Sequence, residues 1–104
     1  MIYSMPFRHD LVPLILLGIK TATTRLNQVV PEGEVFGVRD KFGFRRLYEV
    51  TYVKHDTALN LCNQFSGMEG FPNGRFMYNA LKEIYPKITL KTKLYTHVFM
   101  DYIS

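Results

Sequence analysis

At 104 residues, 47% hydrophobic and 14% aromatic, the chain has enough apolar content for one modest core, which excludes a disordered chain and argues for a single domain over 1–104. Thirteen Lys and Arg against nine Asp and Glu give a formal charge of +4, which suits an anionic partner such as RNA or a nucleotide as well as plain solubility. Cys62 is the only cysteine, so an intrachain disulfide and a cysteine-based zinc site are excluded and a reducing, cytoplasmic setting is expected. Residues 1–8 lack a basic stretch followed by an apolar run, so no export signal is expected, and no apolar run is long enough to cross a bilayer.

In chain order, Asp10 can cap a short helix whose apolar positions Leu11, Leu14 and Ile15 share a face, with Pro13 in its first turn and Gly18 at its C-terminus. Thr21 to Leu26 favours an extended chain, placing Thr21, Thr23 and Arg25 on one face and Ala22, Thr24 and Leu26 on the other. Pro31-Glu32-Gly33 reads as a turn, Glu34 to Arg39 as a strand, and Asp40 to Gly43 as a hairpin loop into a strand from Phe44 to about Lys54. Thr57 caps a second helix that carries Ala58, Leu61, Cys62 and Phe65 at helical spacing, with Cys62 serving packing. Asn73 caps a third, whose buried stripe is Phe76 or Met77, Ala80, Leu81 and Ile84, and Pro86 stops it. Lys93 to Ile103 alternates as a closing strand. Strands with about three short helices inserted, without regular βαβ alternation, predict an α+β fold around a small, mostly antiparallel sheet. Curling that sheet into a barrel would remove its exposed edges.

The densest polar chemistry lies in Gly18-Ile19-Lys20-Thr21-Ala22-Thr23-Thr24-Arg25, where a helix ends and the chain turns extended, a natural rim for a pocket. This run, after a short apolar helix, matches the Gly-x-Lys-x-x-x-x-Arg signature of the ASCH domain, a small member of the PUA-like β-barrel superfamily. Gly33-Glu34-Val35 before strands, and Glu69-Gly70-Phe71 before a helix ending in Tyr85-Pro86, add two further matches in the family's order. The chain therefore resembles an ASCH domain over nearly its whole length, with Thr24 replacing an apolar residue and Glu34 standing where Asp is commoner. The resemblance implies a PUA-like barrel and a partner that is RNA or a modified nucleoside; no cofactor and no membrane partner is expected. Compact members of the family remove the acetyl group of N4-acetylcytidine. By motif, Lys20 then stands as proton acceptor, Thr23 as nucleophile and Glu69, after a one-residue adjustment in its loop, as proton donor. Thr21 and Arg25 stand as substrate contacts. The other reading of the family is a non-catalytic RNA-binding module.

Amide hydrolysis needs these parts: a Thr hydroxyl attacks only beside a base, and Lys serves as that base only when burial or a neighbouring cation lowers its pKa. Arg25 is available as that cation, as a phosphate ligand or as an oxyanion donor. On an ideal strand Lys20 and Thr23 point apart, so they converge only if Lys20 belongs to the turn after Gly18. An apolar wall at Gly70 and Phe71 would raise the Glu69 carboxyl. The plainer alternatives are surface cations for Lys20 and Arg25, strand propensity for the threonines and a solvated loop carboxylate for Glu69. Arg39, Lys41, Arg45 and Arg46 form a basic hairpin suited either to an RNA backbone or to solubility. Phe36, Phe44, Tyr48, Tyr52, Tyr95 and Phe99 lie on strands as core, with one or two free to line a cleft. His9, His55 and His97 lack metal-ligand spacing, and no metal site is assigned.

Overall fold

The computed structural model describes residues 2–103. In chain order they form β1 (Ile2–Tyr3), α1 (Val12–Leu16), β2 (Ala22–Arg25), β3 (Val35–Arg39), β4 (Arg45–Thr57), α2 (Ala58–Phe65), α3 (Gly74–Ile84) and β5 (Lys93–Asp101). The expected caps form on α2 and α3, where the Thr57 hydroxyl accepts from the Asn60 N–H and the Asn73 side chain from the Phe76 N–H. The cap expected on α1 does not form: Asp10 pairs with Arg8 at 2.9 Å, and Leu11 occupies the N-cap with no side-chain bond. Met77, not Phe76, supplies the buried stripe of α3, while Ile84 is half exposed. Gly18 adopts a φ of 77°, which lets the Ile19 and Lys20 N–H groups fold back onto the Leu14 carbonyl and end α1.

The five strands lie in the order β1-β3-β4-β5-β2, with β1 parallel to β3 and every other pairing antiparallel. The α+β class stands, but the barrel does not: β1 and β2 occupy the two ends of the sheet and do not pair. The physical reason lies at β2, whose outer edge is occupied by something other than a strand. The Thr21 carbonyl accepts from the Phe99 N–H, so the antiparallel ladder turns that carbonyl and the main chain of Thr23 and Arg25 towards β5 and leaves the main chain of Ala22 and Thr24 facing outwards. There the Lys20 amine donates to the Ala22 carbonyl at 2.8 Å. Both ends are short, which limits the edge they expose.

Two apolar clusters cover the sheet. Under α1, Phe36, Tyr48 and Phe99 pack with Met5, Ile15, Val30, Val38 and Val50, the Phe36 and Phe99 rings meeting edge to face at 5.2 Å. On the other face, α2 and α3 pack Leu61, Phe65, Met77 and Leu81 against Leu94 and Ile88. The register slips between Val50 and Tyr52, and this bulge lets Val50 and Val53 both reach the α1 side although an odd separation would part them.

His97 is fully buried opposite Thr23. Its Nε2 accepts from the Val29 N–H at 3.0 Å, so the proton of the neutral ring sits on Nδ1, 3.4 Å from the Thr23 carbonyl. Burial lowers its pKa from the ordinary 6.5. Below that value the unfolded chain binds a proton that the folded chain refuses, so this histidine withdraws stability as pH falls through 6.5. In ¹⁵N NMR we expect the His97 ring to remain the neutral Nδ1–H form at pH 6.5; a half-protonated ring at that pH would overturn this assignment.

Candidate functional site

Three local features bring distant residues together. The turn after Gly18 points Lys20 back along the free edge of β2. The chain leaving α2 continues with the Glu69 N–H on the Phe65 carbonyl and then turns at Gly70, which has a φ of 87°. A main-chain bond of 2.7 Å from the Thr21 N–H to the Met68 carbonyl fastens these two turns side by side. The Lys20 amine then lies 3.3 Å from Glu69 Oε1, and the Thr24 hydroxyl donates to Glu69 Oε2 at 2.5 Å. Thr24 faces Thr96 in a close, non-hydrogen-bonded pair of the ladder, and their hydroxyls stand 2.7 Å apart.

Lys20 and Glu69 are only 3% and 5% exposed. Burial lowers the Lys20 pKa despite the attraction of Glu69, and the neighbouring Arg25 lowers it further. Burial likewise raises the Glu69 carboxyl, against the pull of Lys20 and the Thr24 bond. Both shifts oppose the charged forms, so the ion pair is held against the cost of its own burial and each group is moved in the direction that general acid–base chemistry uses.

These residues line a pocket of about 410 Å³ together with Thr23, Arg25, Phe71 and Tyr85. Because β2 is an edge strand, Thr23 and Thr24 both reach the pocket although their side chains leave opposite faces. Arg25 lies along its rim: the guanidinium is 5.0 Å from the Phe7 ring centre, and Nη2 donates to the Pro6 carbonyl at 2.7 Å. The cleft is balanced in charge, since Arg8, Lys20 and Arg25 meet Asp10, Glu69 and Glu83. That composition suits a neutral, hydrogen-bonding guest better than a polyanion.

No protein-family model matches the chain, and no curated protein matches it in sequence. Solved structures resemble it closely in fold. An ASCH domain from Lactobacillus crispatus JV V101 superposes with a TM-score of 0.78 at 16% identity, over 94% of this chain and 77% of that one. A protein from Enterococcus faecalis V583 gives 0.75 at 18%, over 98% and 76%. An ASCH protein from Zymomonas mobilis gives 0.67 at 9%, over 96% and 66%. The chain shares the ASCH-domain fold. At these identities the likeness concerns the fold, and the names of these proteins state no hydrolase activity.

Within this ASCH-type fold, Lys20, Thr23, Arg25 and Glu69 meet at one pocket, whereas Thr21 does not. The Thr21 side chain borders a smaller hollow of about 210 Å³ beside Tyr48 and Asp101, and its main chain serves as the tether described above. The hairpin cations also part company. Arg46 is tied to the Leu16 carbonyl and to Asp101 at 3.0 Å, and the stem of Arg45 lies across Gly37, where a Cβ would approach it to 2.6 Å. Arg39 and Lys41 alone of the four line a groove beside α1. Sequence reasoning missed Thr24 as the partner of Glu69 and Thr96 as the hydroxyl behind Thr24. The available signal was a hydroxyl at Thr24 on the face shared with Ala22 and Leu26. No group of three or more His, Cys, Asp or Glu side chains is placed to hold a metal among the described residues, and no helix there is long and apolar enough to cross a membrane.

A buried ion pair stabilises little once the desolvation of both ions is counted. Lys20→Met alone, or Glu69→Leu alone, should cost about 3 kcal/mol in urea unfolding, and the double variant should be no less stable than wild type. A double variant as unstable as the two single losses combined would mean that the pair holds the fold together.

Proposed function

We propose that the pocket receives the base of a modified nucleoside and hydrolyses the amide of an N4-acylated cytidine, with Lys20, Thr23 and Glu69 in the catalytic roles. The observation that carries this reading is the burial of a Lys and a Glu 3.3 Å apart on the wall of a pocket that Thr23 also lines, with both pKa values pushed towards the uncharged forms. The resemblance of Gly18 to Arg25 to the ASCH signature supports the same residues, and the balanced charge of the pocket favours a neutral base over a phosphate.

The chemistry balances with these groups and water. The Thr23 oxygen attacks the acyl carbon while its proton passes to the Lys20 amine. The C–N bond breaks as the N4 nitrogen takes a proton from the Glu69 carboxyl, releasing cytidine and leaving an acyl ester on Thr23. Water then hydrolyses the ester to the carboxylic acid, the Thr23 hydroxyl is restored, and the proton held by Lys20 returns to Glu69. Arg25, anchored to Pro6 at the rim, is the substrate contact, and its charge adds a little to the burial that lowers the Lys20 pKa. Thr24 acts as a positioning residue through its bond to Glu69.

Purified protein incubated with N4-acetylcytidine should release cytidine, followed chromatographically, with a bell-shaped pH profile of kcat/KM. Thr23→Ala and Lys20→Met should each lower turnover about 100-fold or more, while Thr21→Ala stays within about twofold. Binding of the nucleoside without turnover would remove the catalytic assignment and leave the second reading, a recognition module. Absence of both binding and turnover would remove the nucleoside reading altogether.

A further inference from the structure

When the Thr23 oxygen bonds the acyl carbon, an electron pair of the C=O bond moves onto the acyl oxygen, and the charge that builds there requires a hydrogen-bond donor. The main chain of β2 holds one. Thr23 and Arg25 turn their main chain towards β5, so the N–H of the attacking residue itself is committed to the ladder. Ala22 and Thr24 turn theirs to the free edge of the sheet. Along that edge the outward groups on either side of Thr23 are the Ala22 carbonyl and the Thr24 N–H. The first holds the Lys20 amine at 2.8 Å. The second meets no acceptor among the described residues, although Thr24 is only 4% exposed.

A buried N–H without a partner is rare in a folded chain, and one on the wall of a pocket is a donor held ready for a guest. Thr24 lines the pocket beside Thr23, Lys20 and Glu69. The Ala22 N–H also lacks an acceptor among the described residues, but Ala22 does not line the pocket. The side-chain donors there are already engaged. The Lys20 amine is shared between the Ala22 carbonyl and Glu69, the Thr24 hydroxyl donates to Glu69, and Arg25 Nη2 donates to the Pro6 carbonyl. Arg25 Nε, 3.5 Å from Thr23 Oγ1, faces the attacking atom itself. Because the ladder to β5 fixes β2, the Thr24 N–H needs no reorganisation to meet a developing charge.

We propose that the Thr24 N–H binds the acyl oxygen of the substrate and stabilises the charge it gains, so that consecutive residues of one edge strand supply the nucleophile and the oxyanion donor. This rests on the hydrolytic reading of the pocket. The pair that moves onto the oxygen as Thr23 attacks returns to re-form C=O as the C–N bond breaks, while the Thr23 proton resides on Lys20 and the departing N4 takes its proton from Glu69. The same N–H receives the charge a second time when water attacks the ester. Thr24 then serves through two groups, its hydroxyl orienting the acid and its main chain holding the oxygen.

Replacing Thr24 by its α-hydroxy analogue turns the Thr23–Thr24 amide into an ester, which removes this N–H and keeps the hydroxyl. With N4-acetylcytidine, kcat should fall about 100-fold while KM stays within about threefold. Exchanging the acyl oxygen of the substrate for sulfur, a weak acceptor, should cost the wild type at least about tenfold more turnover than it costs the ester variant, because both changes remove the same bond. Should the ester variant not fold, ¹H–¹⁵N spectra of Thr23→Ala titrated with N4-acetylcytidine replace it, and the Thr24 amide proton should move downfield more than any other. No turnover by the wild type, or no nucleoside binding, overturns the hydrolytic reading and this inference together. Turnover by the wild type with an ester variant within about threefold in kcat, or an equal cost of sulfur in both proteins, overturns the Thr24 assignment alone. Nucleoside binding that leaves the Thr24 amide unmoved does the same.

Discussion

The contact between the Lys20 amine and the Glu69 carboxylate, closed off from water, is the constraint around which this small domain is arranged. Taking each ion out of water costs several kcal/mol, in a domain whose whole stability is about 5–15 kcal/mol. The surroundings answer that cost with specific partners: the Ala22 carbonyl for the amine, the Thr24 hydroxyl for the acid and Thr96 behind Thr24. The main-chain bond between Thr21 and Met68 fixes the two turns that carry the pair. The openness of the sheet has the same origin, because the edge that a barrel would close with a strand is the edge along which Lys20 lies.

Placing the pair at an edge strand has a chemical consequence. A residue in a central strand reaches one face only, but the edge gives both Thr23 and Thr24 access to the same pocket. One hydroxyl can then orient the acid while its neighbour remains free of it, linked only at 3.5 Å to the Arg25 Nε. On the inner side of β2, the ladder to β5 holds the strand in register, with His97 opposite Thr23 and its Nδ1 3.4 Å from the Thr23 carbonyl. The apolar clusters anchor β5 through Phe99 on one face and Leu94 on the other, and β5 in turn fixes β2 through the ladder.

The fold also sorts charge. The formal +4 of the chain is not concentrated at the pocket, where acids and bases are balanced, and part of it goes to the hairpin beside α1. Arg46 is spent on Asp101 and the Leu16 carbonyl, and Arg45 on covering Gly37 from the other side. A basic run in sequence is therefore dispersed: Arg46 ties β4 to α1 and β5, the Arg45 stem covers Gly37, Arg39 closes the hairpin on the Gly43 carbonyl, and Lys41 stands at the tip beside Phe42.

Local chemistry by itself determined the elements and much of the site. Capping by Thr57 and Asn73, the turn glycines at Gly18, Gly33 and Gly43, and the period of two in β5 depend on neighbours in the chain, so they were legible without a structure. The Lys20-to-Arg25 motif named three of the pocket's groups, Lys20, Thr23 and Arg25, and the family resemblance added Glu69. Only the tertiary structure decided the rest. The two-residue β1 is too short to leave a periodic signal, and its parallel pairing with β3 depends on the whole sheet. Whether the sheet closed depended on what covered the edge of β2, and the bond from Thr24 to Glu69, the exclusion of Thr21 and the parting of the hairpin cations each depend on register and on residues up to 55 positions apart. Burial, which turns an ordinary amine and carboxyl into a shifted pair, is a property of the packed interior and of no stretch of sequence taken alone.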